Sequence, residues 1–305
     1  MDNNSINKYL HTIALNLISH VSQHDSLLYG RMGTVIFFFH YSRYTSNRLY
    51  EDYASQLLSL IRLNLSSEIP TNYEYGLCGI GAGVGYLAQQ QFIETNADEV
   101  FEDFDRLFEL KLCETDLSLS DTISIGRYLL FRIGQDRKNN NLGRMSEIIV
   151  RRIRDSYSPE YYLEKIIILS GLLECQYNKE IPELLEELID KFEISFVTDN
   201  PYKWLYVFSH LKSGQKTYDF IGEKIRKKAE DFGNEYFSNT KDYLKIAWSC
   251  ASGTQCPQMS SLFFSGKFIV DNSYFNEGLA GFSGLGLAML TWLNKNSHIS
   301  WYRLL

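Results

Sequence analysis

The stretch that decides the fold is Glu277-Gly-Leu-Ala-Gly-Phe-Ser-Gly-Leu-Gly-Leu-Ala-Met-Leu290, in which closely spaced glycines run directly into an apolar helical segment. A second copy lies much earlier in the chain and reads Tyr75-Gly-Leu-Cys-Gly-Ile-Gly-Ala-Gly-Val-Gly-Tyr-Leu87. A weaker copy reads Leu28-Tyr-Gly-Arg-Met-Gly-Thr-Val-Ile36. Internal repetition at a period of roughly 40–50 residues indicates an array of like units. Because no unit of such an array buries its apolar face alone, the units must pack against one another.

The composition is that of an ordinary globular protein, with 305 residues of which 45% are hydrophobic and 22% charged. Length alone allows two domains, but a repeat array spreads one core over the chain, so we expect a single domain spanning 1–305. A net charge of -7 disfavours nucleic acid as a partner and favours a basic peptide or another cationic ligand. The five cysteines are odd in number and widely spaced, which predicts reduced thiols.

The sequence carries no signal for a membrane or for export. No run of about 18 consecutive apolar residues occurs, so we expect no transmembrane helix. The first residues, Met1-Asp-Asn-Asn-Ser5, lack the basic and then apolar regions of a signal peptide. We therefore expect a cytoplasmic protein.

Two kinds of helical segment alternate along the chain. The first kind is amphipathic, with apolar residues every three or four positions, and is predicted at 7–23, 48–66, 97–113, 142–156, 180–194 and 216–238. The seventh member of this kind would be the short stretch around 258–270. In its first member the apolar face comprises Leu10, Ile13, Leu17, Ile18 and Val21. The second kind is apolar nearly all round and is predicted at 34–41, 80–89, 125–133, 166–173, 204–211, 243–249 and 285–292. Since strand signals are scarce, the chain is predicted to be all-α.

Alternating helices of these two kinds can form an open solenoid or a closed ring. A solenoid exposes both ends of its core and needs polar capping repeats there. Here the first and last repeats keep their glycines, and the second kind of helix is apolar enough to be buried on every side. The pattern therefore favours an α/α toroid of seven helical hairpins, with apolar helices inside and amphipathic helices outside.

The repeated glycines are predicted to be structural. Glycine at the start of an inner helix permits positive φ and close approach of backbones. In a ring these turns would meet at one end of the inner barrel and form a concave floor suited to a binding site. The glycines concerned are Gly30, Gly33, Gly76, Gly79, Gly278, Gly281 and Gly284.

Glycine-flanked inner helices of the form Gly-Leu-x-Gly-x-x-Gly, separated by charged outer helices, resemble the lanthionine synthetase C-like (LanC-like) cyclase family. The segment 277–290 is similar to that family's final repeat, and 75–87 to its second. The resemblance implies an α/α toroid over essentially the whole chain. It also implies a chemistry in which Zn²⁺, held by two cysteines and a histidine, activates a peptide thiol that adds to a dehydrated residue and closes a thioether ring.

The chain departs from the family in its metal ligands. Neither Cys-His-Gly nor Trp-Cys-x-Gly occurs. The segment most similar to the second motif is Ala247-Trp-Ser-Cys-Ala-Ser-Gly253. A zinc site built from Cys250, Cys256 and His210 is an alternative, although the spacing of the two cysteines is not a recognised zinc motif. No dinucleotide cofactor is expected either, because the glycine run lacks a preceding strand. The expectation is therefore a protein without a cofactor, with zinc as the alternative.

Candidate ligand-binding residues follow from side-chain type and position. Aromatic side chains could line a peptide groove, and those near the inner segments are Trp204, Tyr206, Trp248 and Tyr274. Glu277 stands at the start of the last inner segment, where it could bind substrate or act as a first-turn residue stabilised by the helix dipole.

Three functions remain open from the sequence. The favoured one is a LanC-like protein of a peptide-modification pathway, either a thioether cyclase or a non-catalytic relative that binds a precursor peptide or a pathway enzyme. The second is a metal-free binding or scaffold protein on the same toroid. The third is a glycan-active enzyme, which would require two carboxylates flanking its substrate. Whether the chain is an enzyme is thus left open.

Overall fold

The structure is a computed structural model that describes residues 3–66, 68–94, 97–135, 140–156, 158–175, 178–197, 277–293 and 301–304, with the single residues 203, 204, 207, 223, 225 and 227. Ten helices are bounded within these residues, and none of the described residues lies in a strand. The predicted all-α class is therefore confirmed.

The helices follow the predicted alternation. They are α1 (Asn3–Ser19), α2 (Arg31–Thr45), α3 (Arg48–Asn64), α4 (Leu77–Gln89), α5 (Ala97–Leu112), α6 (Leu119–Gln135), α7 (Asn140–Asp155), α8 (Tyr162–Cys175), α9 (Ile181–Asp190) and α10 (Phe282–Leu293), with 3-10 turns at Ile194–Phe196 and Trp301–Leu304. The odd-numbered helices up to α9 are the predicted amphipathic ones, and the even-numbered ones are the predicted apolar ones. The segments at 204–211, 216–238, 243–249 and 258–270 lie outside the described ranges.

Burial separates the two kinds of helix as the sequence predicts. Helix α2 is buried continuously from Met32 to Ser42, and α4 from Leu77 to Gly83. Helix α3 buries one stripe only, formed by Ala54, Leu57 and Ile61. The apolar helices are thus interior elements, and the amphipathic ones present a polar face to solvent.

The predicted apolar face of α1 is correct in its centre and wrong at its end. Leu10, Ile13 and Leu17 are buried, whereas Ile18 is 39% and Val21 47% exposed. Ile18 lies about 100° around the helix from Leu17, so it leaves the buried stripe. Val21 follows the end of α1 at Ser19, so the helical period no longer sets its direction.

The helices group into two compact units. One unit contains α1, α2, α3 and α10, so it is built from both ends of the chain, and the other contains α4 to α9. In the first unit α2 packs against α3 and also against α10, and α1 packs against α10. The expectation of one domain over 1–305 stays a prediction.

The second unit has two layers. Helix α6 packs against α4 and α8, which makes a row of apolar helices, while α5 packs against α7. Small residues allow the apolar row to pack closely: a Cβ on Gly81 would lie 2.7 Å from Cε2 of Tyr128, and one on Gly126 would lie 2.7 Å from Cδ1 of Ile168. At each of these glycines, a side chain of the neighbouring helix therefore packs into the space that a Cβ would occupy.

A buried polar network joins α5 to α6 in this unit. The Tyr128 hydroxyl donates to Oδ1 of Asp105 at 2.6 Å, and Nε of Arg132 donates to Oδ2 of the same carboxylate at 3.0 Å. The Arg132 guanidinium also lies 4.7 Å from the centre of the Phe101 ring. Burial raises the pKa of Tyr128 well above its usual range, and the Asp105 charge adds to the rise. Asp105 thus balances a buried guanidinium while accepting two hydrogen bonds.

Cationic side chains satisfy the carbonyl ends of the outer helices. Arg152 of α7 donates to the carbonyl oxygen of Leu112 at 3.1 Å and to that of Glu114, where α5 ends. Lys165 of α8 donates to the Ser158 carbonyl at 2.7 Å, just beyond the end of α7. Burial lowers the pKa of Lys165. These contacts bind successive hairpins together by satisfying carbonyls that the helices leave unpaired.

As regards membranes, none of the helices in the described part of the chain combines the length and apolarity that a bilayer span requires.

Candidate functional site

The glycine turn is a repeated structure as well as a repeated sequence. The N–H of Arg31 donates to the carbonyl of His24 at 2.9 Å, and the N–H of Leu77 donates to the carbonyl of Pro70 at 2.8 Å. In both cases a loop of the same length closes onto the first residue of a buried helix, with glycine in the N-cap position. The two turns are therefore equivalent elements of the repeat.

The reason for glycine at these turns differs from the predicted one. Gly30 has φ -145° and Gly76 has φ -123°, which is extended backbone open to any residue, so the expectation of positive φ is wrong here. The predicted close approach is confirmed instead. A Cβ on Gly30 would overlap the carbonyl oxygen of His24, and one on Gly76 would overlap that of Pro70. Glycine is needed because the loop carbonyl occupies the space of a side chain.

The turn before α2 also contacts the segment before α10. We call residues 20–34 together with 277–284 the clasp. The N–H of Leu279 donates to the Leu27 carbonyl at 3.2 Å, and that of Ala280 donates to the Leu28 carbonyl at 2.7 Å. These bonds join segments from opposite ends of the sequence, beside the packing of α2 on α10.

Glycine makes this backbone pairing possible. A Cβ on Gly33 would lie 2.5 Å from the Leu279 nitrogen and 2.6 Å from the Leu27 oxygen, and one on Gly278 would overlap the Leu28 carbonyl. Gly281 donates its N–H to the Gly278 carbonyl at 2.9 Å, and a Cβ on Gly284 would overlap the Leu279 carbonyl. Gly79 is buried in the first turn of α4, in the other unit.

Two hydroxyl groups donate hydrogen bonds to the backbone carbonyl of Glu277. Thr34 Oγ1 donates to the Glu277 carbonyl at 3.4 Å, and Ser283 Oγ donates to the same carbonyl. The two hydroxyl oxygens lie 3.3 Å apart. Since α10 begins at Phe282, Glu277 precedes the helix and is not the first-turn residue that the sequence suggested as an alternative.

Ser22 contributes its backbone and its hydroxyl to the clasp. Its Oγ accepts a hydrogen bond from the His24 N–H at 3.1 Å. The Ser22 carbonyl accepts from Nε of Arg31 at 2.6 Å. A guanidinium nitrogen of Arg31 lies 2.8 Å from Oδ1 of Asp25, whose other oxygen accepts from Asn64 at 3.0 Å. The Arg31 charge is therefore matched by Asp25.

Burial dominates the electrostatics of the clasp. It raises the pKa of Glu277, against the opposing influence of the Ser22 hydrogen bonds, His20 and Arg31. Burial also raises the pKa of Tyr53, and the charge of Glu277 adds to that rise. Among the residues that the structure describes, no hydrogen-bond partner is found for the buried hydroxyl oxygens of Tyr53 and Ser26. The clasp thus holds a partly desolvated carboxylate.

We predict that Glu277→Gln stabilises the protein at neutral pH. A carboxyl whose pKa is raised on folding stabilises the fold when protonated, and that stability is lost as pH rises through the folded pKa. The amide that replaces the carboxyl is neutral at every pH. The melting temperature of the variant should exceed that of the parent by about 2 °C near pH 7.5, with the two values converging near pH 4.

Glu51→Gln is the matched control for this prediction, since Glu51 is an exposed residue of α3 in the same unit. Its melting temperature should follow that of the parent over the whole pH range. A Glu277→Gln protein that is less stable than the parent at pH 7.5 would show that the ionised carboxylate stabilises the clasp.

The second glycine turn has a different environment. The N–H of buried Tyr73 donates to Ser124 Oγ at 3.1 Å, and the Arg127 guanidinium lies 3.7 Å from the centre of the Tyr73 ring. Cys78 is buried in the first turn of α4, where burial and then the nearby Asp121 charge raise the pKa of its thiol well above the ordinary value. A raised pKa disfavours the thiolate form, which is the form that a nucleophilic cysteine needs.

The remaining sequence candidates are placed as follows. Trp204 is only 6% exposed, which leaves little of its ring for a ligand. Tyr206, Trp248, Tyr274 and the alternative zinc ligands Cys250, Cys256 and His210 lie outside the described residues. Sequence reasoning missed Ser22, Asp25, Arg31 and Tyr53, because nothing in the spacing of these ordinary polar residues connects them with Glu277.

No protein-family model matches the chain, and no curated protein is significantly similar to it. The site is therefore interpreted from its own geometry.

Proposed function

We propose that this chain is a LanC-like protein of a lanthipeptide-type peptide-modification pathway, folded as a toroid of seven helical hairpins, which binds its peptide without the family's zinc chemistry. The observation that carries the proposal is the pairing of α2 with α10 through the clasp. A closed ring requires its first and last inner helices to be neighbours, whereas an open solenoid separates them by the length of the stack.

The equivalence of the two glycine turns supports the family likeness. Gly30 and Gly76 each follow a loop that closes by the same backbone hydrogen bond onto a buried helix. The sequence resemblance to LanC-like repeats rests on this element, and the structure gives it one geometry at two places. A partner that is a precursor peptide or a pathway enzyme, and a cytoplasmic location, belong to the same proposal.

The described residues bear on zinc only in part, because Cys250, Cys256 and His210 lie outside them. Within the described ranges no three histidine, cysteine, aspartate or glutamate side chains are grouped closely enough to hold a metal ion. Of the cysteines characterised there, Cys78 is buried with a raised pKa, and Cys113 is exposed just after α5. The described residues therefore do not fit the family's two-cysteine, one-histidine site, and no catalytic step is derived through zinc.

Asp121 illustrates why the glycan-active alternative is set aside. Its carboxylate accepts from the Ser118 hydroxyl at 2.7 Å, and Ser118 Oγ accepts from the Asp121 N–H at 3.0 Å. Ser118 precedes the first residue of α6, so its hydroxyl caps the helix by accepting from the Asp121 N–H. The Asp121 carboxylate is thus engaged at this cap, whereas a glycan-active enzyme needs two carboxylates that flank its substrate.

The proposal is tested with a synthetic peptide that carries cysteines and dehydroalanines. We expect saturable binding by isothermal titration calorimetry, with every peptide thiol still free to react with N-ethylmaleimide after incubation. Cyclisation leaves the peptide mass unchanged but consumes thiols, so alkylation followed by mass spectrometry counts the rings formed. Protein purified without chelator is expected to contain no stoichiometric zinc.

Two results would overturn the proposal. Stoichiometric zinc that disappears in the Cys250→Ala/Cys256→Ala variant, together with loss of alkylatable thiols, would establish a zinc-dependent cyclase. Absence of any binding by a correctly folded protein, to this peptide and to versions with its residues reordered, would favour a scaffold unrelated to lanthionine chemistry. The Cys113→Ala variant is the control for cysteine replacement, because Cys113 is exposed and is not a candidate ligand.

A further inference from the structure

Two exposed tyrosines stand shortly before apolar helices of the second unit. Tyr75 precedes α4 and is 54% exposed, and Tyr161 precedes α8 and is 38% exposed. Among the phenylalanine, tyrosine and tryptophan side chains that the structure describes, these two are exposed, whereas the others are buried or half-buried. Exposed tyrosine rings at the loops of a packed scaffold are typical of ligand contacts.

Contacts along the row of apolar helices show that α4 and α6 run parallel. Before α4, the N–H of Tyr73 donates to Oγ of Ser124 in the second turn of α6, at 3.1 Å. At the end of α4, the side chain of Gln89 donates to the carbonyl of Phe131, further along α6, at 3.0 Å. The contacts thus advance in the same direction on both helices.

Helices α6 and α8 are parallel by the same criterion. A Cβ on Gly126 of α6 would meet the side chain of Ile168 in α8. A Cβ on Gly171, further along α8, would meet the side chain of Leu130, further along α6. All three helices therefore begin at the same end of the row.

Tyr75 and Tyr161 consequently lie at one end of this unit, on either side of the start of α6. Packed helices are about 8–10 Å apart, so two spacings separate the tyrosines by about 16–20 Å. A peptide in an extended or polyproline II conformation spans roughly 19–20 Å over six residues. In both conformations residues i and i+6 project from the same face, so an extended peptide can contact both tyrosines.

The backbone of Tyr161 is a second observation. Its φ of 56° lies in the left-handed region, which glycine adopts readily and a bulky side chain adopts at a cost. Stability alone would therefore favour glycine at this position. Residues held in such conformations cluster at ligand-binding and active sites, so contact with a ligand accounts for a tyrosine here.

The surface around the two tyrosines is acidic. Each tyrosine follows an exposed glutamate in the chain, Glu74 or Glu160, and the half-buried Asp121 lies in the first turn of α6. Two cations are in the same region: Lys165, on which the Glu160 charge acts, is buried and donates to a backbone carbonyl, and the Arg127 guanidinium lies over a buried tyrosine ring. The exposed charges that flank the tyrosines in the chain are therefore carboxylates.

We propose that the end of the second unit at which α4, α6 and α8 begin binds an extended basic peptide segment, with Tyr75 and Tyr161 each contacting a lysine or arginine side chain. The face of a tyrosine ring attracts a cation, and the carboxylates of this surface attract it over a longer distance. The inference rests on the proposed peptide-binding function, and it names the recognised feature as two cationic side chains six residues apart.

The test is an amide NMR titration of the full chain with acetyl-Lys-Pro-Pro-Pro-Pro-Pro-Lys-amide, whose prolines hold the two lysines about 19 Å apart. Acetyl-Pro-Pro-Lys-Pro-Pro-Lys-Pro-amide has the same composition but spaces the lysines by about 9 Å. The analogue of the first peptide with norleucine in place of both lysines is neutral. The reporters are the amide of Gly76, next to Tyr75, and the amide of Lys165, which donates to the Tyr161 carbonyl at 2.9 Å.

The first peptide is expected to shift both signals saturably, with a dissociation constant on the order of millimolar. The second peptide should bind several-fold more weakly, because its lysines cannot reach both tyrosines together. The norleucine analogue should leave both signals in place.

Three variants make the test specific. Tyr75→Ala and Tyr161→Gly should each weaken binding of the first peptide about two- to fivefold, as expected for loss of one exposed cation–π contact. Tyr161→Gly should melt no lower than the parent, because glycine adopts the left-handed conformation without strain. Leu110→Ala removes an exposed side chain of α5 in the same unit and should bind like the parent.

The opposite outcomes overturn the inference. Equal binding of the first peptide to the parent and to the Tyr75→Ala/Tyr161→Gly double variant would remove the tyrosines as contacts. Equal binding of the norleucine analogue would remove the recognition of cations, and equal affinity for the two lysine spacings would contradict the two-point geometry.

The double variant also separates this inference from the proposed function. If the peptide with cysteines and dehydroalanines binds the parent and the double variant alike, the inference fails while the proposed function stands. If that peptide does not bind but the first lysine peptide binds through the tyrosines, the proposed function fails instead.

Discussion

Asp105→Ala is expected to lower the free energy of unfolding of its unit by about 3–5 kcal/mol, because the substitution leaves the buried Arg132 guanidinium without its counter-charge. Arg132 is 2% exposed and donates to Asp105 at 3.0 Å. The same substitution deprives the Tyr128 hydroxyl of its acceptor at 2.6 Å. Urea unfolding followed by circular dichroism gives the difference in free energy.

Asp103→Ala is the matched control, since Asp103 is another aspartate of α5. Its carboxylate forms an ion pair of 3.5 Å with Arg106, and both side chains are largely exposed. Exposed pairs of this kind contribute about 0–1 kcal/mol. If Asp103→Ala and Asp105→Ala destabilise the protein equally, the buried network does not contribute as described.

Gly278→Ala is expected to destabilise the first unit by about 3 kcal/mol. The new Cβ would overlap the Leu28 carbonyl, which is backbone and cannot move aside as a flexible side chain can. To make room, the clasp must give up the hydrogen bonds from Leu279 to Leu27 and from Ala280 to Leu28. The expected result is a lower midpoint of urea unfolding and faster hydrogen exchange at these two amides.

Gly134→Ala is the control for the loss of a glycine. Gly134 is exposed near the end of α6, and the described atom nearest to its new Cβ would be the side-chain nitrogen of Gln89 at 2.9 Å, the end of a flexible side chain. Alanine in a helix is favoured over glycine by about 1 kcal/mol, so stability should stay close to that of the parent or rise. A Gly278→Ala protein as stable as Gly134→Ala would mean that the clasp tolerates a side chain.

Much of the fold could be predicted because helical periodicity and glycine position are local properties. The segment predicted at 48–66 is α3, Arg48–Asn64, and the one predicted at 97–113 is α5, Ala97–Leu112. The glycines before α2 and α4 were correctly identified as structural. Their conformation was not, because the sequence does not show that a loop carbonyl occupies the space of a side chain.

The candidate site was predictable in one residue only. Glu277 stood out by its place before an apolar helix, but Ser22 is one of many serines and lies at the opposite end of the chain. The clasp joins their segments beside the packing of α2 against α10, which is a tertiary property. The ion pair of Asp105 with Arg132 could not be predicted for the same reason. Charged residues on separate helices are identified as buried partners only once the packing of the helices is known.

The clasp unites the structural and functional proposals. It joins the helices that a closed ring would bring together, and it holds the backbone of Glu277 just before the last inner helix. Loops at helix ends on a rigid scaffold are common places for binding sites, because their residues can vary while the scaffold holds them in position. Glu277 meets that description, whereas buried Cys78 at the second glycine turn does not.

A crystal structure of the full chain is the most direct test of the proposed closed ring. We predict seven helical hairpins, with additional inner helices beginning near residues 202 and 242 that complete the circuit from α8 to α10. The pairing of Leu279 with Leu27 and of Ala280 with Leu28 should be present in it. An open superhelix, or a chain with fewer than seven inner helices, would contradict the toroid and with it the LanC-like interpretation.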